Sequence, residues 1–79
     1  MESTIINYTY HYSKKMNCYC NYIIVEYEDK KNHYKDLLNR YLQMAVKDYT
    51  TGRKALSIQE QGDKSYSIVL YSLYPIYSN

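Results

Sequence analysis

Residues 34–49 read Tyr-Lys-Asp-Leu-Leu-Asn-Arg-Tyr-Leu-Gln-Met-Ala-Val-Lys-Asp-Tyr. Tyr34, Leu37, Leu38, Tyr41, Leu42, Ala45, Val46 and Tyr49 recur at i, i+3, i+4, i+7, i+8, i+11, i+12 and i+15. That spacing predicts one amphipathic helix with an unbroken apolar stripe. Lys35, Asn39, Arg40, Gln43 and Lys47 fall on or toward its other side. Ahead of it, Glu28-Asp29-Lys30-Lys31-Asn32 reads as a charged turn, with Asp29 or Asn32 placed to accept a first-turn N–H. Gly52, just past Thr50-Thr51, is the expected stop, because glycine accepts the left-handed conformation there. Burying one large stripe residue is worth ~1.5–3 kcal/mol, so Leu38→Asp is expected to unfold the domain.

On both sides of this segment the period changes to two. In residues 4–12, Ile6, Tyr8, Tyr10 and Tyr12 share one face, and Asn7, Thr9 and His11 share the other. This is the pattern of a half-buried strand. Ser13-Lys14-Lys15 breaks it without a glycine, so a hairpin loop of three to five residues follows. Residues 17–28 form a second strand whose centre, Tyr22-Ile23-Ile24-Val25, is apolar on both faces, as in an interior strand at least partly covered on each side. Two registers fit the pair. One sets Tyr10 against Tyr19 and Ile6 against Ile23; a one-residue slip sets Tyr8 against Tyr22 and Ile6 against Ile24.

Beyond the helix, residues 54–60 and 65–74 read as a hairpin around Gln61-Gly62-Asp63-Lys64. A two-residue Gly62-Asp63 turn would place Leu56 opposite Val69 and Ile58 opposite Ser67. Pro75 has no N–H and ends ladder pairing; Ile76-Tyr77 beyond it are apolar although terminal. The reading is α+β, a small ββαββ domain spanning residues 1–79, with one amphipathic helix packed on a largely antiparallel sheet.

Size and composition bound the rest. With 79 residues the core is small, and support from a partner or a second copy is expected. Thirteen residues are Tyr, none is Phe or Trp, and only sixteen are Ile, Leu or Val, so tyrosine rings must serve in the core. The net charge of +2, with acids and bases mixed, is not the footprint of a strong duplex binder. No apolar run approaches the roughly twenty residues of a membrane span. Met1-Glu2-Ser3-Thr4 offers neither a basic start nor an apolar run, so no signal peptide is expected. Cys18 and Cys20 do not make a disulfide framework, which points to a reducing, cytoplasmic compartment. Tyr, Ile, Lys and Asn, all encoded by A/T-rich codons, dominate and hint at an AT-rich genome such as that of a virus, phage or low-GC bacterium.

No motif for catalysis, cofactor or metal emerges. Cys18-x-Cys20 supplies two zinc ligands where a structural site needs four, and reads as two small hydrophobes on a strand. Tyr10-His11-Tyr12 invites a nucleophilic tyrosine, but that chemistry needs a metal or a cluster of arginines and histidines, and only Arg40 and Arg53 are present. His33, Asp36 and Arg40 are helix neighbours and read as a solvated face. Glu26, Glu28 and Asp29 read as a solubilising edge. Gly52 and Gly62 are too isolated to cradle a phosphate.

Tyrosine remains. One helix and four strands cannot bury thirteen rings completely, and exposed tyrosine is enriched in binding surfaces. The candidate partner-binding residues are Tyr19 and Tyr27 on the second strand, Tyr74 and Tyr77 at the C-terminus, and Lys14 and Lys15 in the first loop. Tyr34, Tyr41 and Tyr49 are assigned to the core, with Tyr8, Tyr10 and Tyr12 beneath the helix. The expected function is non-catalytic binding of a larger host protein or complex by a chain that is itself homodimeric, with no membrane partner. The alternative is single-stranded nucleic acid, with rings stacking on bases and Lys14, Lys15, Arg53 and Lys54 near the phosphates. The Gly-aromatic motif of RNA-binding sheet platforms is missing. In size and style the chain resembles anti-CRISPR proteins and similar defence inhibitors of phages and mobile elements. The resemblance is one of type, carried by no motif, and implies inhibition by occupying a surface of host machinery.

Overall fold

A computed structural model describes residues 3–78; Met1 and Glu2, where the leader expectation begins, lie outside them. The elements are β1 (Ser3–Ser13), β2 (Cys18–Tyr27), α1 (Tyr34–Tyr41), β3 (Leu56–Glu60) and β4 (Ser65–Ser72). All four strands join one antiparallel sheet in the order β1-β2-β4-β3. This is the expected ββαββ arrangement, with a helix shorter than its stripe.

The first loop closes as Ser13 pairs with Cys18, leaving four residues. Asn17 takes φ 55, a conformation asparagine tolerates, so the turn needs no glycine. The Ser13 hydroxyl accepts the Met16 N–H, and the Tyr12 hydroxyl donates to the Asn17 amide oxygen. The register of β1 on β2 matches neither expected pairing along most of its length. Tyr8 faces Ile23 and Tyr12 faces Tyr19. A bulge at Ile6 absorbs one residue, so Ile5 faces Val25. The register of β3 on β4 is also one residue off: Leu56 faces Leu70 and Ile58 faces Ile68. Gln61 N–H donates to Ser65 O, enclosing three residues where two were expected, with Gly62 at φ 92.

β2 lies between β1 and β4 and alternates. Ile23, Val25 and Tyr27 are buried on the helix side, while Tyr22 is exposed and Ile24 half-buried on the other. α1 answers with Leu37 and Tyr41, both fully buried. Tyr66, Ile68 and Leu70 of β4 complete the core, with Tyr8, Leu56, Ile58, Ile76 and Tyr77 packed at its margin. Leu38 is only half-buried, so Leu37 is the deep apolar position of the helix. The start of α1 is as expected: the Asn32 side-chain oxygen accepts the Tyr34 N–H at 3.0 Å.

The helix does not run to Tyr49. It tightens into a 3-10 turn at Leu42–Met44 and ends at Ala45, whose ψ of 139 is extended. The backbone then pairs with the sheet. Val46 N–H donates to Tyr71 O at 2.8 Å, and Tyr71 N–H to Ala55 O at 3.1 Å. Residues 47–54 form a narrow loop closed by Asp48 N–H to Arg53 O at 2.7 Å, with Gly52 at φ 73. Ala45 is buried and Val46 half-buried, so these stripe residues enter the interior on a non-helical backbone. Tyr49 does not: it is 98% exposed. Gly52 serves this loop and not a helix end.

Candidate functional site

Three segments meet at one end of the sheet: the β1–β2 loop, the loop at 47–54, and the chain leaving β4. Register explains the meeting. Ser72 of β4 lies opposite Tyr19, so Leu73 and Tyr74 emerge beside the first loop. Two adjoining hollows result. One, of about 700 Å³, is lined by Met44, Lys47, Tyr49, Lys54, Leu73 and Tyr74, among others. The second, of about 470 Å³, shares Lys47, Tyr49 and Leu73 and adds Lys15, Met16 and Asp48. Leu73 and Tyr74 are 67% and 76% exposed, and stand with Tyr49 as a ridge of large side chains in solvent.

The charge is as uneven as the exposure. Lys14, Lys15, Lys47, Arg53 and Lys54 gather at this end, and among the described residues Asp48 is the acid beside them. The Asp48 carboxylate accepts the Thr50 N–H at 2.8 Å. The Lys54 ammonium donates to Ala45 O at 2.9 Å, fixing one positive charge at the mouth of the larger hollow. Glu26, Glu28, Asp29, Glu60 and Asp63 lie at the far end, where Lys30 pairs with Asp63 at 3.2 Å. Lys31 and Lys64 lie at that far end too and partly offset its acids, which leaves the first end the more positive of the two.

The structure thus brings together Lys14, Lys15 and Tyr74 of the expected residues. Tyr19 lies nearby on the helix side of the sheet, half-buried and edge-on to Tyr10 at 6.0 Å and Tyr12 at 5.2 Å. Tyr10 and Tyr12 are 42% and 48% exposed and do not lie beneath the helix as expected. Tyr27 must be struck from the surface set: it is 1% exposed, at the opposite end of β2. Tyr77 is half-buried and structural in its contacts. Its ring meets Tyr8 at 5.3 Å and 90°, and its hydroxyl lies 2.8 Å from that of Tyr41. Sequence reasoning missed Tyr49, Lys47 and Leu73 at the site. Tyr49 was hidden by its own periodicity, which assigned it to the core.

Beneath the site, Asn21 is fully buried and ties the C-terminal segment to the sheet. Its amide nitrogen donates to Ser72 Oγ at 2.8 Å and Leu70 O at 3.2 Å. Its oxygen accepts the Tyr8 hydroxyl at 2.6 Å and the Ile76 N–H at 3.3 Å. This fastening sets the direction in which Leu73 and Tyr74 leave the sheet. On the opposite sheet face His11 lies opposite Cys20 in register and stacks on Tyr22 at 5.6 Å. Cys18 and Cys20 are free and buried, and burial pushes the Cys18 thiol up from its ordinary value. Among the described residues no group of three or more His, Cys, Asp or Glu is placed to hold a metal ion, and no helix is long and apolar enough to cross a membrane.

No family model, curated protein or solved structure matches the chain.

Proposed function

We propose that the chain is a non-catalytic protein-binding domain that docks its basic, tyrosine-rimmed end on an acidic surface of a larger protein. The observation that carries this reading is the convergence of Tyr49, Leu73 and Tyr74 with Lys15, Lys47 and Lys54 around the two hollows. Large, rigid amphipathic rings supply contact area at low entropic cost, and lysines at the rim steer an acidic partner and set its orientation. The non-catalytic part is supported by a lining suited to docking contacts, with lysines, hydroxyls, Gln43, Asn17, the Cys18 thiol and an Asp48 already engaged by backbone. The narrower role, a mobile-element inhibitor that occupies a surface of a host defence complex, rests on small size and AT-rich composition.

The same lysines and rings favour a second reading, a single strand of nucleic acid stacked on Tyr49 and Tyr74. One pair of measurements separates the two. Affinity capture from host extract is compared for the wild type and for Lys47→Glu/Tyr74→Ala, and a labelled oligonucleotide is titrated at two salt concentrations. A partner retained by the wild type and lost by the double variant supports protein binding. Tight, steeply salt-sensitive oligonucleotide binding overturns it in favour of nucleic acid.

A further inference from the structure

β1 is the outermost strand of the sheet and, among the described residues, pairs with β2 alone. It runs for 11 residues, Ser-Thr-Ile-Ile-Asn-Tyr-Thr-Tyr-His-Tyr-Ser, without a proline, lysine, arginine or carboxylate. Exposed edges are ordinarily guarded by such residues, because the outward row of N–H and C=O groups otherwise recruits another strand. The Ile6 bulge interrupts one end, yet Asn7 to Ser13 pair with β2 without a break. The opposite edge, β3, is only 5 residues long and carries Glu60. An unguarded backbone edge accepts one kind of occupant, an extended strand.

We infer that this occupant is the same strand of a second copy, paired antiparallel about a twofold axis through Tyr10. A twofold axis perpendicular to the sheet keeps helix side against helix side, so residues on the same face must meet. Centring on Tyr10 sets Tyr8 against Tyr12 and Thr9 against His11, with Asn7 against Ser13. Every pairing is then ring on ring or polar on polar. The helix side of β1 already carries an aromatic series, with Tyr8 tilted on Tyr10 at 5.8 Å and both Tyr10 and Tyr12 edge-on to Tyr19. The axis joins two such series into one. Cross-strand aromatic pairs are among the more stabilising in sheets. Lys14 and Lys15 fall beyond the paired segment, against Ile6 and Ile5 of the other copy, so no like charges oppose one another. The join turns two four-stranded sheets into one eight-stranded sheet and covers the outer flanks of Tyr10 and Tyr12. It leaves the larger hollow, with Lys47, Tyr49, Lys54 and Tyr74, free in each copy, while Lys14 and Lys15 lie beside the other copy.

The test is the mass of the protein in solution, by sedimentation equilibrium from low micromolar to near-millimolar concentration. The wild type doubles in mass on concentration. Tyr10→Lys sets two lysines against each other at the axis and stays monomeric; Tyr10→Asp does the same. An equimolar mixture of the two variants regains the doubled mass, because position 10 of one copy faces position 10 of the other. A wild type monomeric throughout, a dimeric Tyr10→Lys, or a mixture that fails to associate overturns the inference. Should the variants lose their native circular dichroism, hydrogen exchange of the wild type decides. Amides of residues 7–13 that point away from β2 exchange several-fold more slowly at high concentration than at low, and exchange that is independent of concentration overturns the inference.

Discussion

The ring of Tyr27 lies flat on the imidazole of His33, with centroids 3.6 Å apart and planes within 3°. The stack joins the last residue of β2 to the residue before α1. His33 Nε2 sits 2.9 Å from Asp29 Oδ1, and the His33 N–H donates to the Tyr66 hydroxyl at 3.0 Å. The Tyr27 hydroxyl donates to Asp36 at 2.8 Å, and Arg40 approaches the same carboxylate oxygen at 3.4 Å. What reads in sequence as a solvated trio, His33, Asp36 and Arg40, is a clamp between helix and sheet, with His33 buried.

Tyr27→Ala removes this stack and leaves a cavity, so it is expected to lower unfolding free energy by about 3–5 kcal/mol. Tyr27→Phe keeps the ring and loses one hydrogen bond, for about 1 kcal/mol. Urea denaturation monitored by circular dichroism measures both. Equal losses for the two variants would show that the stacked ring contributes nothing.

Leu37 is fully buried against the sheet and Leu38 is half-buried. Leu37→Asp places a carboxylate in the apolar cluster that holds Ile23, Tyr41 and Ile68, and is expected to abolish the cooperative thermal transition. Leu38→Asp is expected to lower the melting temperature and leave a folded protein. The reverse ranking would contradict the helix orientation described above.

Alkaline pH separates two tyrosines from the bulk. Burial, then the hydrogen bond to Asp36, pushes the Tyr27 phenol far above its ordinary value. Burial, then the Tyr77 hydroxyl, does the same to Tyr41. A folded-state pKa raised above the unfolded value, about 10, gives stability that is complete below that pH and lost as pH rises through the folded values. The melting temperature should therefore fall above about pH 10, where the unfolded chain releases protons that the folded chain retains. Tyr27→Phe/Tyr41→Phe should show a shallower fall than the wild type. Parallel slopes would refute the assignment.

Asn21 is the fastening of the C-terminal segment, and Asn21→Leu strands the Tyr8 hydroxyl and the Ile76 N–H without their acceptor. The expected cost is about 1–3 kcal/mol. The more specific readout is local: limited proteolysis should cut within residues 73–78 of the variant before any other site. Uniform cleavage along the chain would mean that Asn21 stabilises the sheet generally.

Much of the architecture was written locally. The change of period from two to helical and back set the element order, Asn32 set the helix start, and Pro75 follows the end of β4. Local signals could not fix the two registers. Each depended on the length of its loop, four residues between Ser13 and Cys18 in one hairpin and three between Gln61 and Ser65 in the other. Nor could they end the helix. Ala45 and Val46 enter the interior on either a helical or an extended backbone, and the choice was made by hydrogen bonds to Tyr71, far along the chain.

The sequence by itself determined the class of fold and the excess of tyrosine over the space available to bury it. Which rings face solvent was decided by tertiary structure alone. The stripe assigned Tyr49 to the core, but ending the helix early released it to solvent, while the His33 stack took Tyr27 inside. The basic end exists because strand register carries Tyr74 and Lys15 to one place, and periodicity within a segment holds no information about what another segment brings beside it.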